Sequence, residues 1–277
     1  MLGQRARNDL SEKDVRGLEE AARAVVEIHH ALSDWMRIGV TVAQIDDEVG
    51  QLLKQLNSTS CFHRYKAGRY PPFPSQACLS VNDCIVHGTA WTHKAPLQAG
   101  DLLKIDIGVR KNNWIGDAAW TYSFAQPTEE VRRLMECGKE SLARGMRALQ
   151  PGDKLLEWAK AVQGHVEGEC GFHLVVGLGG HGYGRRLHAD PWVSNVLPTA
   201  QTPWPDAHKR CLPGMTLAVE PMLAIGTGRT KETPGDWPIY TADGSMAVHY
   251  EADVLITEDG PRDLTAGLSD VNDVIDR

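Results

Sequence analysis

No apolar run in this chain approaches the roughly 20 residues that a membrane-spanning helix needs. No Lys/Arg run of five or more occurs either, and the formal net charge is −7. A mildly acidic chain without a concentrated basic surface is a poor candidate for specific nucleic-acid binding. Residues 1–10 lack the apolar stretch of a secretory signal, and Asp9 argues against an organelle transit peptide. The six cysteines, Cys61, Cys78, Cys84, Cys137, Cys170 and Cys211, include no Cys-x-x-Cys pair. A structural zinc knuckle is therefore not expected. Six cysteines are also too sparse in 277 residues for a disulfide scaffold. They read as reduced, mostly packed thiols of a cytoplasmic protein.

What remains is ordinary globular composition, 42% hydrophobic and 23% charged. The length suits one large domain or two intimately joined halves, and no low-complexity tract or linker divides it. Val15, Leu18, Ala22, Val25 and His29 recur at helical steps, predicting a helix from Ser11, its N-cap, to about Met36. Thr41, with Gln44 in the capping-box position, opens a second helix with Ile45, Val49, Leu52 and Leu56 on one face. Thr128 caps a third helix running to about Leu149. Pro151-Gly152 breaks it, and Asp153 caps a fourth through about Val166. Two helix pairs, each ahead of β-rich sequence, suggest an internal duplication, and two unrelated helical hairpins would give the same pattern. Leu102 to Phe124 reads as a β-hairpin. Met215 to Leu223 and Met246 to Ile256 read as strands, with Gly226 to Asp243 as loop between them.

The chemistry begins in the hairpin. Asp106 and Asp117 stand 11 residues apart. A turn centred on Lys111-Asn112 places them directly opposite, about 5 Å apart at Cβ. Paired carboxylates repel unless they are solvated, protonated or bridged by a cation. An isolated pair is more often a wet acidic patch. Three further residues change that balance. Glu220 and Glu251 lie within apolar strand sequence, where a carboxylate needs a partner. His181 is flanked by glycines that leave its imidazole open to a ligand. Oxygen-rich sites with one imidazole suit divalent Mn, Fe, Co or Zn. Gly177-Leu178-Gly179-Gly180-His181-Gly182 matches a dinucleotide fingerprint only formally, because no helical period follows it.

These residues carry a resemblance. Cys78-Leu79-Ser80-Val81-Asn82-Asp83 with Val86-His87-Gly88, Asp106, Gly116-Asp117, Gly180-His181-Gly182-Tyr183-Gly184 with His188 and Pro191, Glu220-Pro221-Met222, and His249-Tyr250-Glu251 stand in the order found in type I methionine aminopeptidases. The chain resembles that family from its first helix to near its C-terminus. The resemblance implies an α/β pita-bread fold, two pseudo-symmetric halves around a two-metal cleft, with residues 1–277 one catalytic domain and 1–10 a flexible lead. It implies removal of N-terminal methionine from nascent or newly made peptides by a metal-bridging hydroxide. It places Asp106, Asp117, His181, Glu220 and Glu251 on two divalent ions, with Glu251 bridging and Glu220 shuttling a proton. His188 would polarise the scissile carbonyl and His87 would contact the adjoining peptide. Tyr70, Phe73, Cys78, Leu187 and Trp237 map onto the methionine pocket.

Three departures from the family stand out. Leu187 replaces a common Phe, His249 replaces a more usual Gln, and the segment Cys61 to Pro74 is longer than usual. They leave room for a paralogue with another N-terminal preference. The sequence lacks the Cys/His arrangement of the eukaryotic extension, so the short bacterial form is expected. It is expected to act as a cytoplasmic monomer on peptide N-termini, with the ribosome as a candidate partner and no membrane or nucleic-acid binding. The competing readings are a proline-directed relative, which usually carries a further N-terminal domain, and a non-catalytic binding protein of the same fold, which typically loses ligands that are present here.

Overall fold

The computed structural model describes residues 10–68 and 70–277. Of the N-terminal segment read as flexible, only Leu10 falls within the described residues. Helix α1 (Glu12–Trp35) begins where a capping box closes, with Ser11 and Asp14 exchanging side-chain-to-backbone hydrogen bonds. Its inner stripe, including Leu18, Ala21, Ala22, Val25, Ile28 and Leu32, is buried. Helix α2 (Val42–Gln55) opens on the same device, Thr41 with Gln44. It buries Val42, Ile45, Val49 and Leu53, while Leu52 and Leu56, read as part of that face, are only partly buried.

These helices precede a sheet of Cys78–Val81 (β1), Leu102–Lys111 (β2) and Trp114–Phe124 (β3), with Thr59–Ser60 and Val274–Ile275 pairing at its margins. A Cβ on Gly116 would sit 2.6 Å from the Ala21 carbonyl, so only glycine lets α1 lie this close to β3. The β2–β3 turn is Asn112-Asn113, with φ of 50° and 65°. Two positive-φ residues make the kind of turn whose twist suits a hairpin. The register pairs Lys111 with Trp114, hence Asp106 with Ala119 and Gly108 with Asp117. The direct pairing of Asp106 with Asp117 read from the sequence is thus displaced by two residues. A two-residue shift keeps the same face, so the carboxylates are diagonal neighbours on one side of the sheet.

Thr128 caps α3 (Glu129–Ala148) as its sequence predicts. The next helix does not start at Asp153. It is α4 (Leu156–Gln163), without a side-chain cap. The Asp153 carbonyl accepts from the Cys211 N–H, Gly152 donates to the Cys211 carbonyl, and Lys154 bridges Arg210. This pairing ties up the backbone groups of residues 152–155 and delays the helix. α4 then passes into a π-helical segment, Gly164–Cys170, closed by Gly171 at φ 75°.

The second half continues with Gly179–Gly182 (β4), Ala189–Ser194 (β5), Thr216–Val219 (β6), Met222–Ala224 (β7), Ala247–His249 (β8), Ala252–Thr257 (β9) and Gly260–Asp263 (β10). Five of these form one sheet in the order β10-β9-β6-β4-β5, and β7 pairs with β8 beside it. The two long strands read from the sequence are each broken, at Glu220-Pro221 and at Tyr250-Glu251. Pro221 has no N–H for a ladder, which accounts for the first break. The stretch read as loop, 226–243, contains a short hairpin of Thr230–Glu232 with Ile239–Thr241.

The halves join at β3. Glu251 N–H donates to the Ala119 carbonyl at 2.9 Å, Asp117 N–H donates to Asp253 Oδ2 at 2.9 Å, and Thr121 exchanges hydrogen bonds with the His249 backbone. A helix pair followed by a sheet therefore occurs twice, with Asp117, Glu251 and Asp253 at the seam.

Candidate metal centre

Each acidic side chain is delivered by a specific backbone device. The β-hairpin brings Asp106 and Asp117 to one face. The two strand breaks release Glu220 and Glu251 from ladder geometry at the ends of β6 and β8. His181 lies in β4, not in a loop. The glycines beside it serve the backbone. A Cβ on Gly180 would meet the Ala218 carbonyl oxygen at 2.2 Å, and one on Gly182 the Asp190 oxygen at 2.1 Å. They allow neighbouring strands to close around His181 and do not open space for its ring.

Asp106, Asp117, His181, Glu220 and Glu251 all line one cavity of about 350 Å³, together with His87 and His188. Donor atoms of Asp117, His181 and Glu251 lie within 4.8 Å of one another, and so do those of Glu220, His249 and Glu251. Glu251 is common to both groups. His181 Nδ1 is 3.1 Å from the Gly182 carbonyl, which can only accept. Nδ1 therefore carries the proton, and the Nε2 lone pair faces Asp117 Oδ2 at 3.8 Å.

Electrostatically the cavity is unbalanced. Among the described residues, no Lys or Arg lines it. Burial, then the neighbouring Asp117, pushes the Asp106 carboxyl well above its usual range. Burial and the adjacent carboxylates do the same to Glu220 and Glu251. Burial raises Asp117 to about 7. Asp106 Oδ1 and Asp117 Oδ1 are buried without any hydrogen-bond partner. Buried acceptors left unpaired are costly, and a divalent cation would satisfy them. The donor set, oxygen-rich with one imidazole, fits such an ion.

The rest of the cavity wall is largely apolar: Phe62, Phe73, Cys78, Leu187 and Trp237. Tyr70, mapped to this wall from the sequence, does not line it. It packs on the Trp237 ring at 5.0 Å between centroids. His87 holds a φ of 59° just after a strand. An imidazole in that strained region is a candidate for deliberate placement. Its ring meets Trp237 edge-on at 6.1 Å. Burial keeps it neutral, with its pKa lowered to about 4.

The structure adds residues that the sequence did not single out for the cleft. Tyr65 Oη lies 2.7 Å from His188 Nδ1. With the phenol donating, His188 carries its proton on Nε2. His249 was visible only as a substitution, and its Nε2 lies 3.1 Å from Glu220 Oε2. Burial lowers its pKa to about 3, so it is neutral and donates Nε2–H to the carboxylate. Asp253 anchors the Asp117 backbone from below. The signal for Tyr65 was the long 61–74 segment. The signal for Asp253 was a second acid beside Glu251 in an apolar run.

The model of metallopeptidase family M24 matches residues 16–258. The chain belongs to this family. The methionine aminopeptidase of Clostridium acetobutylicum is 32% identical over 255 residues, covering 92% of this chain and 97% of the relative. Methionine aminopeptidase 1 of Mycobacterium tuberculosis is 33% identical over 272 residues, covering 96% and 98%. The crystal structure of methionine aminopeptidase from Thermotoga maritima superposes with a TM-score of 0.81 at 30% identity, over 92% of this chain and 97% of that one. Prolidase from Pyrococcus furiosus shares the fold, with a TM-score of 0.68 at 20% identity, and is matched over only 64% of its length. This M24 metallopeptidase therefore has the pita-bread fold, and its cavity lies where the two halves meet.

Proposed function

We propose that this metallo-aminopeptidase removes N-terminal methionine from nascent or newly made peptides, acting as a single catalytic domain and a cytoplasmic monomer. The observation that carries the reading is one cavity with an acidic floor and an apolar wall. The floor is Asp106, Asp117, His181, Glu220 and Glu251, and the wall includes Phe73, Cys78, Leu187 and Trp237. In this reading the five floor residues would hold two divalent ions. When bound, the ions supply Lewis acidity and lower the pKa of water at the site.

The chain's own groups do the rest. The apolar wall seats an unbranched thioether and excludes water from the scissile bond. Glu220, oriented by His249, takes the water proton and passes it toward the departing amine. His188 points its Nε2–H at the scissile carbonyl oxygen, and Tyr65 fixes that tautomer. His87, held neutral, hydrogen-bonds the adjoining peptide unit.

The test is release of free Met from Met-Ala-Ser by stripped protein reloaded with Mn, Fe, Co or Zn, beside Glu220→Gln. Metal-dependent release that falls about 10²–10⁴-fold in the variant is expected. No release with any metal, despite ions bound, would overturn the methionine reading. A specific observation favours a second one: Leu187, which departs from the family pattern, and Tyr65, from the long 61–74 segment, both line the cavity. A panel of X-Ala-Ser peptides in which Leu or Ala outruns Met would establish a paralogue with another preference, and cleavage of X-Pro peptides alone would establish a proline-directed enzyme.

A further inference from the structure

A second cluster of ligand-type side chains lies on α3 and on the π-helical segment after α4. Cys137, His165 and Cys170 each offer a donor atom, and the three donors lie within 4.8 Å of one another. His165 Nε2 is 3.5 Å from Cys170 Sγ. On the other side of the ring, Nδ1 is 3.0 Å from Glu169 Oε2. An ionised carboxylate only accepts, so Nδ1 carries the proton and Nε2 keeps its lone pair for a ligand, with Cys170 Sγ beside the ring, 4.0 Å from Nδ1. Glu169 is itself held by Arg144 Nη1 at 2.7 Å. The imidazole is therefore oriented by its surroundings.

Backbone geometry explains the grouping. In an α-helix, residues five apart diverge by about 140° around the axis. Gly164–Cys170 is π-helical, and its wider turn draws positions i, i+4 and i+5 toward one side. His165, Glu169 and Cys170 then face Cys137, which is buried on α3. Nothing in the cleft chemistry uses this turn.

We propose that Cys137, Cys170 and His165 form a second metal site, for a thiophilic divalent cation such as Zn²⁺, with Glu169 orienting the histidine. Ligands about 2.3 Å (sulfur) and 2.0 Å (nitrogen) from one zinc stand about 3.5 Å apart at a tetrahedral angle, which is the distance between Cys170 Sγ and His165 Nε2. Two thiols lose their protons to solvent as the ion binds. Three protein ligands leave a fourth position, reached past the half-buried Cys170. The ion ties α3 to the end of the π segment. Sulfur donors separate this site from the oxygen-rich cleft, which favours harder ions.

The experiment uses the whole chain, reduced and stripped of metal, titrated with Co²⁺. A near-ultraviolet thiolate-to-cobalt charge-transfer band is expected to saturate at one thiolate-bound ion per chain. Cys170→Ser and Cys137→Ser should lose the band, and Cys78→Ser should keep it, since Cys78 belongs to the cleft. Absence of the band at saturating Co²⁺, or its loss only in Cys78→Ser, overturns the site. A second measurement covers a variant that fails to fold. Stoichiometric Zn²⁺ should slow alkylation of Cys137 and Cys170 in the native chain at least tenfold, read by peptide mass, while Cys61 is unaffected. Unchanged rates, or a Cys137–Cys170 disulfide forming as readily with Zn²⁺ as without it, overturn the proposal.

Discussion

His249 and Tyr65 each hold another cleft residue in place, and their effects can be separated from simple packing. His249 donates to Glu220 at 3.1 Å. A hydrogen bond to a charged group contributes about 1.5–3 kcal/mol. His249→Ala should therefore lower kcat for Met-Ala-Ser by about tenfold or more with little change in KM, while His249→Gln, which restores a donor, should recover most of it. Equal losses in both variants would mean that ring packing matters and the hydrogen bond does not. Tyr65→Phe keeps the ring beside His188, 5.3 Å between centroids, and removes only the hydroxyl. A fall in kcat of about tenfold is expected, from the loss of one hydrogen bond that sets a tautomer. An unchanged kcat would show that His188 needs no such partner. At this scale the acids and His181 were legible because charge inside apolar sequence demands an explanation. Tyr65 was not, because its meaning depends on how residues 61–74 fold back over the cleft. Tyr70 was misplaced for the same reason, one aromatic of that segment standing in for another.

Short elements set the positions of the ligands, and the sequence exposed some of them better than others. Helix caps at Ser11, Thr41 and Thr128 are local chemistry and were readable directly. The Asp153 helix start failed because a distant partner, residues 209–211, competes for the same backbone groups. The hairpin register missed by two residues, since Asn112-Asn113 and not Lys111-Asn112 takes the positive φ values. The inference of a shared face survived, because a strand's side chains repeat every second residue. The glycines around His181 carry a testable consequence. Gly180→Ala would drive a Cβ to 2.2 Å from the Ala218 carbonyl oxygen. That contact is backbone and cannot swing aside, so β4 and β6 must part. A loss of about 1–3 kcal/mol or more is expected, together with weaker metal retention, since His181 moves with the strand. A variant that melts and binds Mn²⁺ like the parent would show that the strands tolerate the separation.

For the molecule as a whole, the buried acids couple stability to pH and to metal. A carboxyl whose folded pKa is raised stabilises the fold below its unfolded pKa, near 4, and that contribution is lost as pH rises through the folded value. Buried neutral histidines work in the opposite sense. His29, His87 and His181 are lowered to about 4 and His249 to about 3, each mainly by burial. Their cost disappears as pH rises through the unfolded value near 6.5. The two sets oppose each other between about pH 4 and 6.5. Above that the acids go on lowering stability, while buried Lys104, its pKa lowered to about 7 mainly by burial, works against them. Asp117, at about 7, takes about 1 kcal/mol from the metal-free protein between pH 6.5 and 8.5. Asp106, Glu220 and Glu251 lie higher still and add to it in the same direction. The metal-free chain should therefore melt a few degrees lower at pH 8.5 than at pH 6.5, with four raised acids outweighing the one lowered lysine. Saturating Mn²⁺ should remove or reverse that slope, because the bound state favours the ionised carboxylates and releases their protons. Melting followed by circular dichroism at the two pH values, with and without metal, reads both. A metal-free protein that grows more stable over this window would show that the cluster is already ionised without its ions, and the case for a built metal centre in the cleft would fall with it.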